Sequence, residues 1–474
     1  MNASRLIGYL ASGLLALFAE QASALSLPAT LNAVVSNNTL VVAGTATHRD
    51  TFLALMVDDI CVAGSLDVYR ATPALNADFR AYSCHTVASA GAGSTGAILG
   101  LAANRDVVVF YRAEGGGGWG AYPIAQRRIE GALFSGIKSL DVNVCSGASA
   151  IVFFPPPVNA NLPLHDCPLG GTYQLIDDAN GAGGGVPGLI DRQTQLGVGD
   201  EEPRQYRGVN NPSLTTNRLH NTAAITAQMA TGLAPSTTTS YGQVYSMIVN
   251  NSAVGASDEV ISLAKPEVTG ILTGTITDWC TIRPTIADCG IGGSHPITVV
   301  VRQPGAGAQI AATVEYLGCC SPLTMVSDSD PPGAADTDGV ILAMTGDVAA
   351  NTVAATVDAI GFELIRPTLV PNTKLVNIGN VVPSNANFAN LSYQFGFEAT
   401  LTKNPVTTDL QPASVNMALA DAFIALSRNA NKVPGYASIF GIPNAINLPG
   451  TIGARGLIVA LCTRNGDSCR ICLP

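Results

Sequence analysis

The sequence predicts an α/β protein whose sheet is covered on both faces. The first observation is a set of short runs of consecutive β-branched and other apolar residues, without the polar alternation of a half-exposed strand. The second is that helix-like stretches follow two of those runs across short junctions, one of them glycine-rich. The third is bulk: 474 residues, 47% hydrophobic and only 12% charged, are ample for a large core and long enough for two or three domains. The apolar content excludes a disordered chain, and the net charge of −10 excludes sequence-independent nucleic-acid binding.

Residues 1–24 read as a signal peptide. Arg5 is followed by an apolar stretch over residues 6–18 and then by Ala22-Ser23-Ala24, a small-x-small cleavage pattern. The stretch is too short to span a bilayer, which takes about 20 residues. A mature chain starting near Leu25 in the periplasm, or secreted to the extracellular side, is therefore expected. Leu40-Val41-Val42-Ala43 is the first strand, with a helix expected over residues 49–63. Asp106-Val107-Val108-Val109-Phe110-Tyr111 is the second, and it runs into Gly115-Gly116-Gly117-Gly118. Pro296-Ile297-Thr298-Val299-Val300-Val301 is the third, followed by Gly305, Gly307 and a helical stretch over residues 308–317. Loops rich in Gly, Pro and Asn fill residues 146–188, read as a surface insertion, and residues 327–338.

All 11 cysteines lie beyond residue 24, and in an oxidising compartment their default state is disulfide-bonded. Cys280 with Cys289, and Cys61 with Cys84, are spaced to close local loops. Cys319 and Cys320 are adjacent and are expected to reach different partners, because a ring between neighbours is strained. Cys469-x-x-Cys472, with Cys462 upstream, has no second CxxC or HxxxH to complete a tetrahedral site, so no metal is expected. An odd count leaves at least one thiol free or paired between chains, which would allow disulfide-linked self-association.

Glycines between a strand's end and a helix's start let backbone N–H groups approach a ligand, and a helix N-terminus favours anions. Strand-to-glycine junctions fall at Gly44, Gly115 and Gly305, and in open α/β sheets ligands sit beyond the carboxyl ends of strands. There is no GxSxG, HExxH or Walker loop, so no enzymatic activity and no cofactor is expected. The five histidines are scattered and read as surface or packing residues.

Four blocks in order resemble the bacterial phosphate-binding proteins that serve ABC transporters. Ile271-Leu272-Thr273-Gly274-Thr275-Ile276-Thr277-Asp278-Trp279 is similar to that family's "IFxGkitnW", and residues 297–307 to its "ItvvvRxdgSG". Ala359-Ile360-Gly361-Phe362 resembles "aIGYv", and Val376-Asn377-Ile378 with Val382-Pro383-Ser384 resembles "inGvxPt". The resemblance implies a two-lobed type II periplasmic-binding-protein-like fold with two hinge crossings and ligand in the cleft. The lobes would be residues 25–208, residues 209–362, and residues 363–474 as a return to the first lobe plus a Cys-containing tail.

By the same resemblance, the ligand-binding residues would be Thr47, Gly116, Asp200, Arg302, Gly305, Ala306 and Gly307. Arg302 would give charge to a small phosphate-like anion, and Asp200 would accept a hydrogen bond from a protonated oxyanion. An ABC permease is the partner implied. About three hydroxyl donors of the family pattern are not kept: glycine stands in the second loop, Ala306 and Ala308 replace Ser and Thr, and Gly199 stands before Asp200 in place of Ser. Each lost bond to a charged group is worth roughly 1.5–3 kcal/mol. That loss opens the alternative of an extracellular structural or adhesive protein on the same fold with an inactive cleft.

Overall fold

Helix α1 (Leu27–Val35) starts at Ser26, whose hydroxyl accepts the Ala29 N–H at 3.4 Å, and Pro28 sits in its first turn, where a missing N–H costs nothing. It leads into β1 (Thr39–Gly44), buried along its whole length. The structure, a computed structural model, describes residues 26–45, 48–72, 78–87, 105–113, 117–130, 136–154, 158–170, 187–201, 203–206, 237–250, 261–286, 289–301, 307–318, 358–365, 373–390, 392–404 and 415–427. The signal-peptide reading and Cys319, Cys320, Cys462, Cys469 and Cys472 lie outside these residues.

The chain continues through α2 (Arg49–Leu55), prolonged by a π-helical turn at Met56–Ile60, then β2 (Asp67–Thr72), β3 (Asp78–His85), β4 (Asp106–Ala113) and α3 (Gly118–Glu130). Next come β5 (Ile137–Leu140), β6 (Ala150–Phe154), β7 (Ala160–Pro168), β8 (Leu189–Arg192) and β9 (Leu196–Gly199). β1 pairs in parallel with β4 on one side and β9 on the other, as expected for strands covered on both faces. One face carries Leu40, Val42, Val107, Val109 and Tyr111, packed under α2 and a late helix at Val415–Ser427. There Phe52 stacks on Phe423 at 4.4 Å and meets Tyr111 edge-on at 5.2 Å. The other face, with Val41, Ala43, Val108 and Phe110, packs against α1 and the β5–β8 ribbon.

The second half supplies β10 (Thr237–Asn250), β11 (Ile261–Leu263), α4 (Lys265–Leu272), β12 (Thr298–Val299), α5 (Gly307–Ala312, with a π-helical turn at Thr313–Leu317), β13 (Ala359–Leu364), β14 (Thr373–Ile378), α6 (Asn385–Ala389), β15 (Gly396–Lys403) and α7 (Val415–Ser427). α4 is started by Glu267, whose carboxylate accepts the Ala264 N–H at 2.6 Å, and α6 by Ser384, whose hydroxyl accepts the Asn387 N–H at 3.1 Å. A separate core forms here around Trp279, Val249, Ile271, Tyr316, Phe362 and Phe395.

Two strands join the cores. The first half of β10 pairs with β15, and its second half pairs with β13 and β14. β15 pairs on its other edge with β9, while Tyr393 and Phe395, just before it, belong to the second core. Within the described residues the chain therefore passes between two cores twice, which is the two-lobed α/β architecture with paired crossings that the resemblance implies.

The predicted strand at residues 296–301 pairs over Thr298–Val299, with the Val300 N–H adding a bond to Ile360 O at 2.8 Å. The predicted helix over residues 49–63 ends at Ile60 with the π-helical turn. The described part of the presumed insertion at residues 146–188 carries β6 and β7, which extend the sheet beyond β2. Pro163 and Pro168 argued against a strand there. Burial of Leu162 and Leu164 and the disulfide from Cys145 to Cys167 hold it in register. Cys61–Cys84 and Cys280–Cys289 are bonded as their spacing predicts.

His165 on β7 is buried, with Nε2 3.0 Å from Asp67 Oδ2 and Nδ1 3.1 Å from Ser146 O, and its ring stacks on Tyr69 at 4.3 Å. Burial alone would lower its pKa, but the bonds to Asp67 and Ser146 and the Asp67 charge outweigh it and raise the pKa above the ordinary value. The stabilisation is therefore fully present below about pH 6.5, where the unfolded histidine titrates, and is lost as pH rises through the folded value. His165→Gln should flatten that part of the stability–pH curve; an unchanged curve in denaturant titrations would show the pair is not coupled to folding.

Candidate functional site

β1, β4 and β9 end together, and the segments leaving them meet at the junction of the two cores. Beyond β1, the Thr45 N–H bonds Val198 O at 3.2 Å, and Tyr111 Oη donates to Thr45 O at 2.8 Å. Beyond β4, α3 is laid directly on β9: a Cβ at Gly120 would lie 2.6 Å from Val198 N and overlap Val198 O, and one at Gly197 would overlap Gly120 O. This glycine-on-glycine contact brings Gly117 against the backbone at Asp200 and the hydroxyl of Tyr206.

Beyond β9 come Asp200 and Glu201, 3% and 1% exposed. The His48 Nε2 stands 3.4 Å from Asp200 Oδ1, with His48 itself 1% exposed. The short 3-10 turn Pro203–Gln205 bends the chain so that Tyr206 Oη donates to Glu201 Oε2 at 2.6 Å. Thr400 on β15, which pairs with Gly199, donates its hydroxyl to Glu201 O at 2.7 Å. Burial pushes the Tyr206 phenol well above its usual range, and the charges of Glu201 and Asp200 push it further. It thus remains a protonated donor at any working pH.

From the second core, α5 closes on this group. A Cβ at Gly307 would lie 2.6 Å from Asp200 Oδ2 and overlap Glu201 Oε1 and Asp200 Cβ. Ile310 packs in a smaller cluster with Tyr122 and Ile124 of α3 and with Tyr206, while Ala308, Ala311 and Ala312 pack in the second core. α5 therefore belongs to both sides of the junction. Its amino end faces the two carboxylates, an arrangement that helix polarity favours.

Of the seven ligand-binding residues predicted, Thr47, Gly116, Arg302, Gly305 and Ala306 lie outside the described residues. The other two, Asp200 and Gly307, come from opposite cores and are in contact. The sequence puts His48 among surface or packing residues, and it packs with Asp200 and Glu201, all three enclosed. No sequence signal singles out Tyr206 or Thr400. Neither carries a motif, and only the turn at Pro203 and the β9–β15 register place them here.

The group offers carboxylate acceptors at Asp200 and Glu201, the Tyr206 proton being given to Glu201 and His48 standing against Asp200. No protein-family model matches the chain, and no curated protein is similar to it. Among solved structures, the chain is similar to an ABC-type phosphate transport receptor from Vibrio cholerae, at 16% identity, covering 52% of this chain and 80% of that one with a TM-score of 0.30. It is similar to a phosphate-binding protein from Stenotrophomonas maltophilia at 14% identity, covering 58% and 80% with a TM-score of 0.27. It is similar also to a high-affinity periplasmic phosphate-binding protein, PfluDING, bound with phosphate, at 13% identity, covering 69% and 89% with a TM-score of 0.30.

Proposed function

We propose that the protein is an exported solute-binding protein that takes a small oxyanion, phosphate or a close analogue, at the junction of its two cores. The observation that carries this reading is the meeting of Asp200, at the end of β9, with Gly307, at the start of α5, across two cores joined by two strands. Strands crossing in a pair act as a hinge, and a ligand that binds the closed form shifts the open–closed equilibrium toward it. In this reading Asp200 accepts a hydrogen bond from the protonated oxyanion. Arg302, with the loop at Gly305 and Ala306 and those at Thr47 and Gly116, supplies charge and backbone donors. A permease of the ABC class would receive the loaded protein.

One observation favours the second reading, a structural or adhesive protein with an idle cleft. The first turn of α5 already packs directly on both carboxylates, a contact that can stand as structural packing by itself. The melting midpoint of the purified chain in phosphate, arsenate, sulfate and molybdate separates the readings. A ligand at 100 times its Kd adds about 2.7 kcal/mol to stability. A rise with phosphate and arsenate, weaker with sulfate because Asp200 must meet a proton, is expected. No rise with any of the four, from a cooperatively melting protein, would favour the idle cleft.

A further inference from the structure

Three disulfides join the described cysteines, and they differ in access. Cys61, Cys84, Cys145 and Cys167 are all buried, whereas Cys280 and Cys289 are both partly exposed. Thiol–disulfide exchange requires an attacking thiolate to reach a sulfur, so the Cys280–Cys289 bond is the one a dithiol meets first.

The surroundings of this bond are organised without it. The Cys280 N–H donates to Asp278 Oδ1 at 2.8 Å, the His295 N–H donates to the same oxygen at 3.1 Å, and the Ser294 hydroxyl donates to Oδ2. The bridge between Asp278 and Pro296 and the Trp279 N–H bond to His295 O, at 2.9 Å, tie the two segments together again. On the imidazole itself, Nδ1 lies 2.8 Å from Asp358 Oδ2. A carboxylate on one ring nitrogen fixes the ring's orientation, as it does behind metal-bound histidines. The ligand atoms of Cys280, Cys289 and His295 all lie within 4.8 Å of one another. A tetrahedral zinc-sized ion, about 2.3 Å from sulfur and about 2.0 Å from nitrogen, needs separations of about 3.5–3.8 Å.

We propose that Cys280, Cys289 and His295 form a metal site for a zinc-like divalent cation, opened by reduction of the Cys280–Cys289 disulfide. A dithiol reductant gives two electrons and two protons to the S–S bond and is itself oxidised to a disulfide, leaving two thiols. The cation then binds both sulfurs and the imidazole, the thiols release two protons, and water fills the fourth position. The spacing Cys-x8-Cys-x5-His matches no common metal motif. The site follows from Asp278, which holds the segments of Cys280 and His295 together in either redox state.

The test uses the full chain, folded oxidised and then treated with limiting dithiothreitol. Alkylation and peptide mass mapping should find Cys280 and Cys289 released while Cys61, Cys84, Cys145 and Cys167 stay bonded. Cobalt(II) added to this form should give thiolate-to-metal charge-transfer absorption at one equivalent per chain above the oxidised protein. His295→Ala, which leaves the disulfide to guide folding, should weaken that binding at least tenfold, and Cys289→Ser should abolish the added equivalent. An unchanged cobalt titration in both variants would place the metal elsewhere and overturn the proposal. So would release of the buried cysteines ahead of Cys280, or no added cobalt after reduction.

Discussion

Gly120→Val is expected to destabilise the first core strongly. α3 crosses β9 with glycine on both sides, and any Cβ at residue 120 meets the carbonyl, nitrogen and carbon of Val198, which are backbone and cannot rotate away. Overpacking a core ordinarily costs about 1–3 kcal/mol, and here the helix must leave the sheet, so a loss of at least about 3 kcal/mol is predicted. For a domain of this general size each 1 kcal/mol moves the melting midpoint by about 2–4 °C, giving a fall of roughly 6–12 °C. Gly147→Ala is the control: nothing lies within 4 Å of a Cβ there, and a change within about 0.5 kcal/mol is expected. Equal midpoints for the two variants would show that the helix–strand contact is looser than described.

Gly307→Val acts on the junction. Its side chain has to enter the space held by Glu201 Oε1 and the Asp200 side chain, so α5 must retreat from the carboxylates. The two cores keep their own packing, because Ala308, Ala311 and Ala312 remain in the second core and Asp200 stays at the end of β9. A retreat costing 1–3 kcal/mol in the closed form weakens a ligand that needs that form by about 5–150-fold, since about 1.4 kcal/mol is tenfold. Small-angle scattering should show a larger radius of gyration for the variant, with a melting transition that stays cooperative. Unchanged dimensions and unchanged phosphate affinity together would mean that α5 takes no part in closure.

Much of the fold was legible because burial on both faces leaves a direct mark. Leu40-Val41-Val42-Ala43 and Asp106-Val107-Val108-Val109-Phe110-Tyr111 cannot be half-exposed strands, and they became the parallel pair β1 and β4. The two near disulfides were legible for an equally local reason, the short loops they close. β6 and β7 were not, since Pro163, Pro168 and the surrounding glycines mask a strand whose support comes from β2 and from Cys145–Cys167, distant in sequence. β12 is shorter than the apolar run at residues 296–301, because such a run fixes burial but not how many residues find a partner.

Asp200 and Gly307, which the family resemblance assigns to one ligand site, are in contact, one at a strand end and one at a helix start. Nothing local marks their neighbours: Glu201 carries no motif, Tyr206 is placed by a turn, and Thr400 by the register between β9 and β15. Hydrogen bonds that depend on a register across the chain leave no local pattern. The same holds at Asp278, which joins the segments of Cys280 and His295 through backbone N–H groups that any residue would supply.

The most direct measurement for the central claim is calorimetric titration of the mature chain with inorganic phosphate, alongside Arg302→Ala. The account predicts saturable binding with one phosphate per chain, and at least a tenfold loss of affinity in the variant, the order expected for a charge-assisted bond worth about 1.5–3 kcal/mol. No heat of binding from a folded wild-type chain, or equal affinity in Arg302→Ala, would contradict it.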